Sequence, residues 1–165
     1  MLPGISIKKV ASKTDLEEIK DLFREYFAWV RDDLHFDLSY QGIDKELKAL
    51  PGEYASPQGC LLLVRSGDEP AGCIALQPHT SQICELKRMY VRPGFRGQGI
   101  GKMLCSDIIQ TAKQTGYSLM RLDTEVTLNI AQRIYTEFGF HPAVPYYDAP
   151  ESARERTIFM ELELG

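Results

Sequence analysis

Apolar residues recur along this chain at two spacings, and each switch between them marks a new element. Ile5-Ser6-Ile7-Lys8-Lys9-Val10 alternates like a half-buried strand. Leu16, Ile19, Leu22, Phe23, Phe27 and Val30 then fall on one face of a long helix, with Thr14 or Asp15 as its cap. Residues 44–50 predict a second, short helix stopped by Pro51-Gly52. The runs 60–65 and 71–77 predict a hairpin joined by residues 66–70, and 84–91 reads as a further strand. Ile100, Met103, Leu104, Ile108 and Ala112 return to helical spacing until Gly116, and strand 119–124 follows. Asn129, Gln132 and Gly139 bound another helix, Asn129 with Gln132 forming a capping box and Gly139 a left-handed C-cap. Residues 140–146 and 157–164 complete the pattern as two last strands. The expected order is β-α-α-β-β-β-α-β-α-β-β, a mixed α/β chain without internal repeat, linker or low-complexity segment.

The most informative stretch is Val91-Arg92-Pro93-Gly94-Phe95-Arg96-Gly97-Gln98-Gly99-Ile100-Gly101-Lys102, which ends a strand, strings glycines through a turn and opens a helix. At a helix N-terminus the first amides have no internal partner and the helix dipole is positive, so such a turn suits phosphate. Arg96 and Lys102 add positive charge. A Walker loop is excluded because Met103 follows Gly101-Lys102 where a hydroxyl would have to hold magnesium. A dinucleotide fingerprint starting at Gly97 would need its third glycine where Lys102 stands. What remains, Arg96-Gly97-Gln98-Gly99-Ile100-Gly101, resembles the Gln/Arg-x-x-Gly-x-Gly/Ala pyrophosphate loop of the GNAT superfamily of acetyl-CoA-dependent N-acetyltransferases. The segment 129–140, with Asn129, Tyr135 six residues later and the closing Gly139-Phe140, is similar to the second signature of that family.

The resemblance implies the family fold, a mixed, mostly antiparallel sheet flanked by helices, in which the strand ending at Val91 and the one ending near Thr124 part to admit acetyl-CoA. It implies that main chain along Met89, Tyr90 and Val91 pairs with the pantetheine arm. Arg96, Gly97, Gln98, Gly99, Ile100, Gly101 and Lys102 would hold the pyrophosphate, and Asn129 would hydrogen-bond the pantetheine. Tyr135 matches the general acid that protonates the departing thiolate, although an aromatic on the inner face of a capped helix is otherwise ordinary core. Glu85 stands where some members keep a general base. By simple alternation it shares a face with Lys87, Met89 and Val91, and pairing with Lys87 would make it a poorer base. In this family the acceptor groove draws on the connection after the first helix and on the last strands. Asp32, Asp33, His35 and Asp37, with Tyr146, Tyr147 and Asp148, therefore suggest a small cationic amine or an amino-terminal group as acceptor. Glu125 is a candidate for the groove wall, and Trp29 reads as core.

Composition narrows the classes. With 165 residues, 44% of them hydrophobic, the chain is long enough for one well-filled core, and a single N-acetyltransferase domain is expected over 1–165. A formal net charge of -4 leaves no basic footprint for a nucleic acid. Cys60, Cys73, Cys84 and Cys105 form no C-x-x-C pair, so buried free thiols are expected. His35, His79 and His141 show no metal-ligand spacing, and no metal cofactor is expected. The start of the chain lacks the charged and apolar segments of a leader, which leads us to expect a soluble cytoplasmic protein that needs no membrane. The anticipated partner is a small-molecule amine, with a homodimer left open. A non-catalytic acyl-CoA sensor is the alternative function, opposed by the joint presence of Tyr135, Asn129 and a strand carboxylate.

Overall fold

In the computed structural model, which describes residues 4–165, alternation along the strands gives one sheet two apolar faces. The strands are β1 (Ile5–Lys9), β2 (Cys60–Ser66), β3 (Glu69–Pro78), β4 (Ile83–Val91), β5 (Leu119–Glu125), β6 (His141–Pro142) and β7 (Thr157–Glu163). They lie in the order β1-β2-β3-β4-β5-β7-β6. Each neighbouring pair is antiparallel except β4 and β5, which are parallel. Leu62, Val64, Ile74, Leu76 and Leu86 face helix α3 (Ile100–Thr115) and its Leu104 and Ile108. Leu61, Leu63, Cys73 and Ala75 face helix α1 (Lys13–Asp32), meeting Ile19, Leu22 and Phe23. Each buried Leu, Ile, Val or Phe among them contributes about 1.5 to 3 kcal/mol. The two cores hold the helices rigidly on opposite faces of the sheet. The fold expected from the sequence is the fold observed.

Several boundaries differ, each for a local reason. The N-cap of α1 is Ser12 and not Thr14 or Asp15: the Ser12 hydroxyl accepts from the Asp15 amide at 3.0 Å, and the Asp15 carboxylate accepts from the amides of Ala11 and Ser12. The short helix α2 spans Ile43–Ala49, and α4 spans Asn129–Glu137. The hairpin between β2 and β3 turns through Gly67 and Asp68 alone, because Ser66 already pairs with Glu69. The strand expected over 140–146 shrinks to His141–Pro142. Pro142 and Pro145 lack the donors a ladder needs, and the rings of Tyr146 and Tyr147 turn inward onto Phe159. A short helix α5 (Glu151–Arg154), unanticipated, precedes β7. All four cysteines are free and buried, as expected.

Two irregularities in β4 prepare the site. Its pairing with β5 runs only from Ile83 opposite Leu119 to Glu85 opposite Arg121, after which the strands separate. Its pairing with β3 skips from Ala75 opposite Lys87 to Cys73 opposite Tyr90, so β4 carries one extra residue at a bulge. Arg88 sits there with φ 59°, a left-handed value unusual for a side-chain-bearing residue. The cost is offset by a buried guanidinium that donates to both Glu46 oxygens, at 3.0 and 2.9 Å, and to Gln41 at 2.9 Å. The bulge also reverses alternation. Glu85 and Lys87 remain on the α1 side, whereas Met89 and Val91 pack toward the α3 core, so the expected common face of these four residues does not exist.

Candidate active site

The glycine loop is built as its sequence suggested, but its cations are arranged differently. A turn of 3-10 helix at Pro93–Phe95 leads to Gly97 and Gly99, at φ 78° and 82°, values that a side chain would resist. Ile100 then opens α3. The amides of residues 97–102 donate to no protein acceptor among the described residues, which leaves a row of N–H groups at the positive end of a 16-residue helix. Gly101 permits a close approach of α3 to α4, since a Cβ there would lie 3.2 Å from the Ile134 Cδ1. Arg96 does not reach over this nest. Its Nε donates to the Val91 carbonyl at 2.8 Å, and its guanidinium lies 5.2 Å from the centre of the Trp29 ring. Lys102 pairs with Glu137 at 3.0 Å. Arg133, which sequence reasoning passed over, lines the same wall.

Where β4 and β5 part lies a cleft of about 840 Å³. Gly97, Gly99, Ile100, Gly101 and Lys102 line one end, and Met89, Tyr90 and Val91 line the floor; Gln98 is exposed and lies outside the lining. Asn129 lines the wall, but the expected capping box is absent. Leu128 is the N-cap without a side-chain bond, and Gln132 instead donates to the carbonyls of Glu125 and Val126 at 3.1 and 3.0 Å. This ties the start of α4 to the end of β5.

Tyr135 and Asp123 both line the cleft. Tyr135 is buried against Phe140, and its hydroxyl has no hydrogen-bond partner among the described residues. Burial keeps its phenol protonated well above the ordinary range. Asp123 accepts a hydrogen bond from the Tyr147 hydroxyl. Burial, then the negative charge of Glu85, raises its carboxyl above the ordinary value. Glu85 itself is buried and lies outside the cleft lining. Its two oxygens accept from His79 Nε2 and the Tyr146 hydroxyl, each at 2.7 Å. Burial would raise it, but the His79 bond, the Lys87 charge and the Tyr146 bond outweigh burial and hold it low. The expected side-chain pairing of Glu85 with Lys87 is replaced by these two neighbours.

The acceptor end of the cleft is apolar where an acidic wall was expected. Asp32, Asp33, His35, Asp37 and Asp148 are exposed and outside the lining, while Val30, Leu34, Phe36, Leu38 and Tyr147 line it. Glu125 touches the cleft, yet it is committed to Arg156 and Thr127; Arg156 in turn holds the carbonyls of Leu34 and His35. Trp29, expected as core, lines the cleft beneath Arg96. Asp123 and His79 were missed by sequence reasoning. The available signal for Asp123 was its alternation with Arg121 and Glu125 along β5, which sets it on one face of the strand next to the point of separation. The partnership of His79 with Glu85 is a tertiary contact that spacing does not reveal.

Residues 16–140 match the model of the acetyltransferase (GNAT) family. An uncharacterised N-acetyltransferase of Schizosaccharomyces pombe is 39% identical over 164 residues, covering 98% of this chain and 96% of its own. The crystal structure of an acetyltransferase from Streptococcus agalactiae shares the fold with a TM-score of 0.78 at 15% identity, covering 98% of this chain and 99% of its own. The PaiA N-acetyltransferase of Thermoplasma acidophilum, solved in complex with coenzyme A, has a TM-score of 0.71 at 22% identity over 96% of this chain and 98% of its own.

Proposed function

The chain belongs to the acetyltransferase (GNAT) family and is an N-acetyltransferase, and from that premise we propose that it moves the acetyl group of acetyl-CoA to the primary amine of a small molecule by direct attack. One observation carries this reading: a single cleft is lined by Gly97, Gly99, Ile100, Gly101 and Lys102, whose amides are uncommitted, and by Tyr135 and Asp123. The amides and Arg133 hold phosphate, and Asn129 reaches the pantetheine. Beyond Glu85, β4 has lost its β5 partner, so the main chain along Met89 to Val91 is free to pair with pantetheine amides and to face the thioester oxygen with an N–H.

A thioester is already activated, so the protein chiefly aligns the reactants. The ammonium gives one proton to the Asp123 carboxylate and attacks the carbonyl carbon. The C–N bond forms and the C–S bond breaks, Tyr135 delivers a proton to sulfur, and the second nitrogen proton restores the phenol through solvent. The net release is one proton per amide formed. The high affinity of Tyr135 for its proton keeps it an acid at neutral pH. Glu85, with His79 and Tyr146, is a positioning group whose charge makes Asp123 more basic.

Calorimetry and thermal unfolding test the binding half. Acetyl-CoA should stabilise the fold by about 2.7 kcal/mol at a hundredfold excess over its dissociation constant, and Gly99→Asp, which sets a carboxylate in the amide nest, should abolish this. Tighter binding of ATP-Mg than of acetyl-CoA, or unchanged affinity in folded Gly99→Asp, contradicts the assignment. Thiol release from acetyl-CoA against a panel of amines, amino acids and peptides tests the catalytic half.

A further inference from the structure

The last β4–β5 pair is Glu85 with Arg121. Two residues on along each strand, on the same face, stand Lys87 and Asp123, at the point where the strands part. Both line the cleft. The other charged groups on this face are committed: Glu85 to His79 and Tyr146, Arg88 to Glu46, Arg121 to Glu161 and Glu125 to Arg156. Lys87 is in no ion pair and no hydrogen bond among the described residues, and it does not come within the 4.0 Å of Asp123 that an ion pair requires. A cation and a carboxyl thus flank a gap without closing it. Beyond them the cleft continues between Val30, Leu34, Phe36 and Leu38, with Tyr40 and Gln41 also in its lining, Gln41 being committed to Arg88.

We propose that the acceptor is a free α-amino acid with an apolar or aromatic side chain, its carboxylate held by Lys87 and its amine by Asp123, a proposal that rests on the amine-acetylating reading above. A zwitterion supplies the missing partner to both groups at once. Its side chain then enters the apolar end, where the exposed acidic residues of the segment after α1 do not reach. The amine lies beside Asp123, in the cleft that Tyr135 also lines. An amine without a carboxylate leaves Lys87 desolvated and unpaired, so the site rejects it.

The test compares matched acceptors with acetyl-CoA: phenylalanine against phenethylamine and phenylalaninamide, and leucine against isoamylamine. The free amino acids should show kcat/KM roughly ten- to a hundredfold higher, as a charge-assisted bond confers. Lys87→Met should collapse that ratio toward one, and Lys87→Arg should keep most of it, with acetyl-CoA affinity confirming the fold of each. Equal or faster turnover of the decarboxylated amines by the parent overturns the proposal while leaving amine acetylation standing, and this comparison needs no variant. A ratio unchanged in Lys87→Met overturns it too. No turnover of any acceptor, despite acetyl-CoA binding, overturns both readings.

Discussion

Asp15 and Asp123 are two aspartates largely withdrawn from water, and the protein treats them in opposite ways. Asp15, at the start of α1, is fully satisfied: it accepts from the amides of Ala11 and Ser12 and pairs with Lys8 at 3.0 Å and Arg65 at 2.8 Å. The Arg65 guanidinium above all holds its carboxyl far below the ordinary carboxylate range. Asp123, at the parting of β4 and β5, has one phenol for a partner, and desolvation raises it. The same side chain is a structural anchor in one place and a group with unused proton affinity in the other. Position relative to the cleft makes the difference. Where the strands and helix close on each other, every lone pair is matched; where they part, the matching is left to a ligand.

The contrast can be broken from either side. The largest effect is expected on turnover: Tyr135→Phe keeps the ring against Phe140 but removes the acid, so kcat should fall by about 10² to 10⁴ with stability and CoA affinity retained. Parental kcat in that variant removes Tyr135 from the mechanism. Asp15→Ala should do the reverse, costing about 1.5 to 3 kcal/mol in urea unfolding because Arg65 keeps only Glu18 and the amides of Ala11 and Ser12 lose their charged acceptor, while acetyl-CoA affinity of the folded protein persists. A loss too small to measure shows the ion pair to be ornamental.

A pH series sharpens the comparison further. The Asp15 carboxyl lies below its unfolded value of 3.8, so its contribution is present above that pH and drains away as pH falls through and beneath it. The stability advantage of the parent over Asp15→Asn should therefore shrink below about pH 4. Asp123 has the opposite sign. Its folded value is raised, so stability is complete below 3.8 and declines as pH rises through the folded value. Asp123→Asn, which cannot ionise, should be as stable as the parent at low pH and slightly more stable at neutral pH, the smallest effect of the set. A clear destabilisation at neutral pH would show that Asp123 is anchored after all.

Much of this architecture was legible in the sequence, because it is local. The spacing of Ile19, Leu22 and Phe23, the glycines at 97 and 99 and the Gly116 stop each act within a few residues, and α1 and α3 stand where periodicity places them. What stayed hidden depends on long-range contact. The bulge at Arg88 needs Glu46 and Gln41, from a helix and loop more than forty residues away, and it alone decides which face Met89 and Val91 occupy. The prolines at 142 and 145 are visible in the sequence, yet how far they cut the strand back depends on Tyr146 and Tyr147 packing onto Phe159, a contact between distant residues. Charge points to Asp32, Asp33 and Asp37, which are exposed, while the acid that faces the cleft is one of three alternating charged residues of β5, Arg121, Asp123 and Glu125, and only the sheet decides which of them meets the cleft unpaired.

The central claim is that Asp123 is kept under-satisfied for chemistry, and Asp123→Asn tests it most directly. Single-turnover acetyl transfer should be followed at saturating acetyl-CoA across pH, on an acceptor verified with the parent, beside a thermal melt of the same preparation. The account predicts a transfer rate lower by about 10² or more, as for loss of a general base, together with loss of the limb on which parental activity rises as Asp123 ionises. The melting temperature at neutral pH should equal or exceed that of the parent. Parental transfer by Asp123→Asn, or slow transfer explained by a lowered melting temperature, contradicts it.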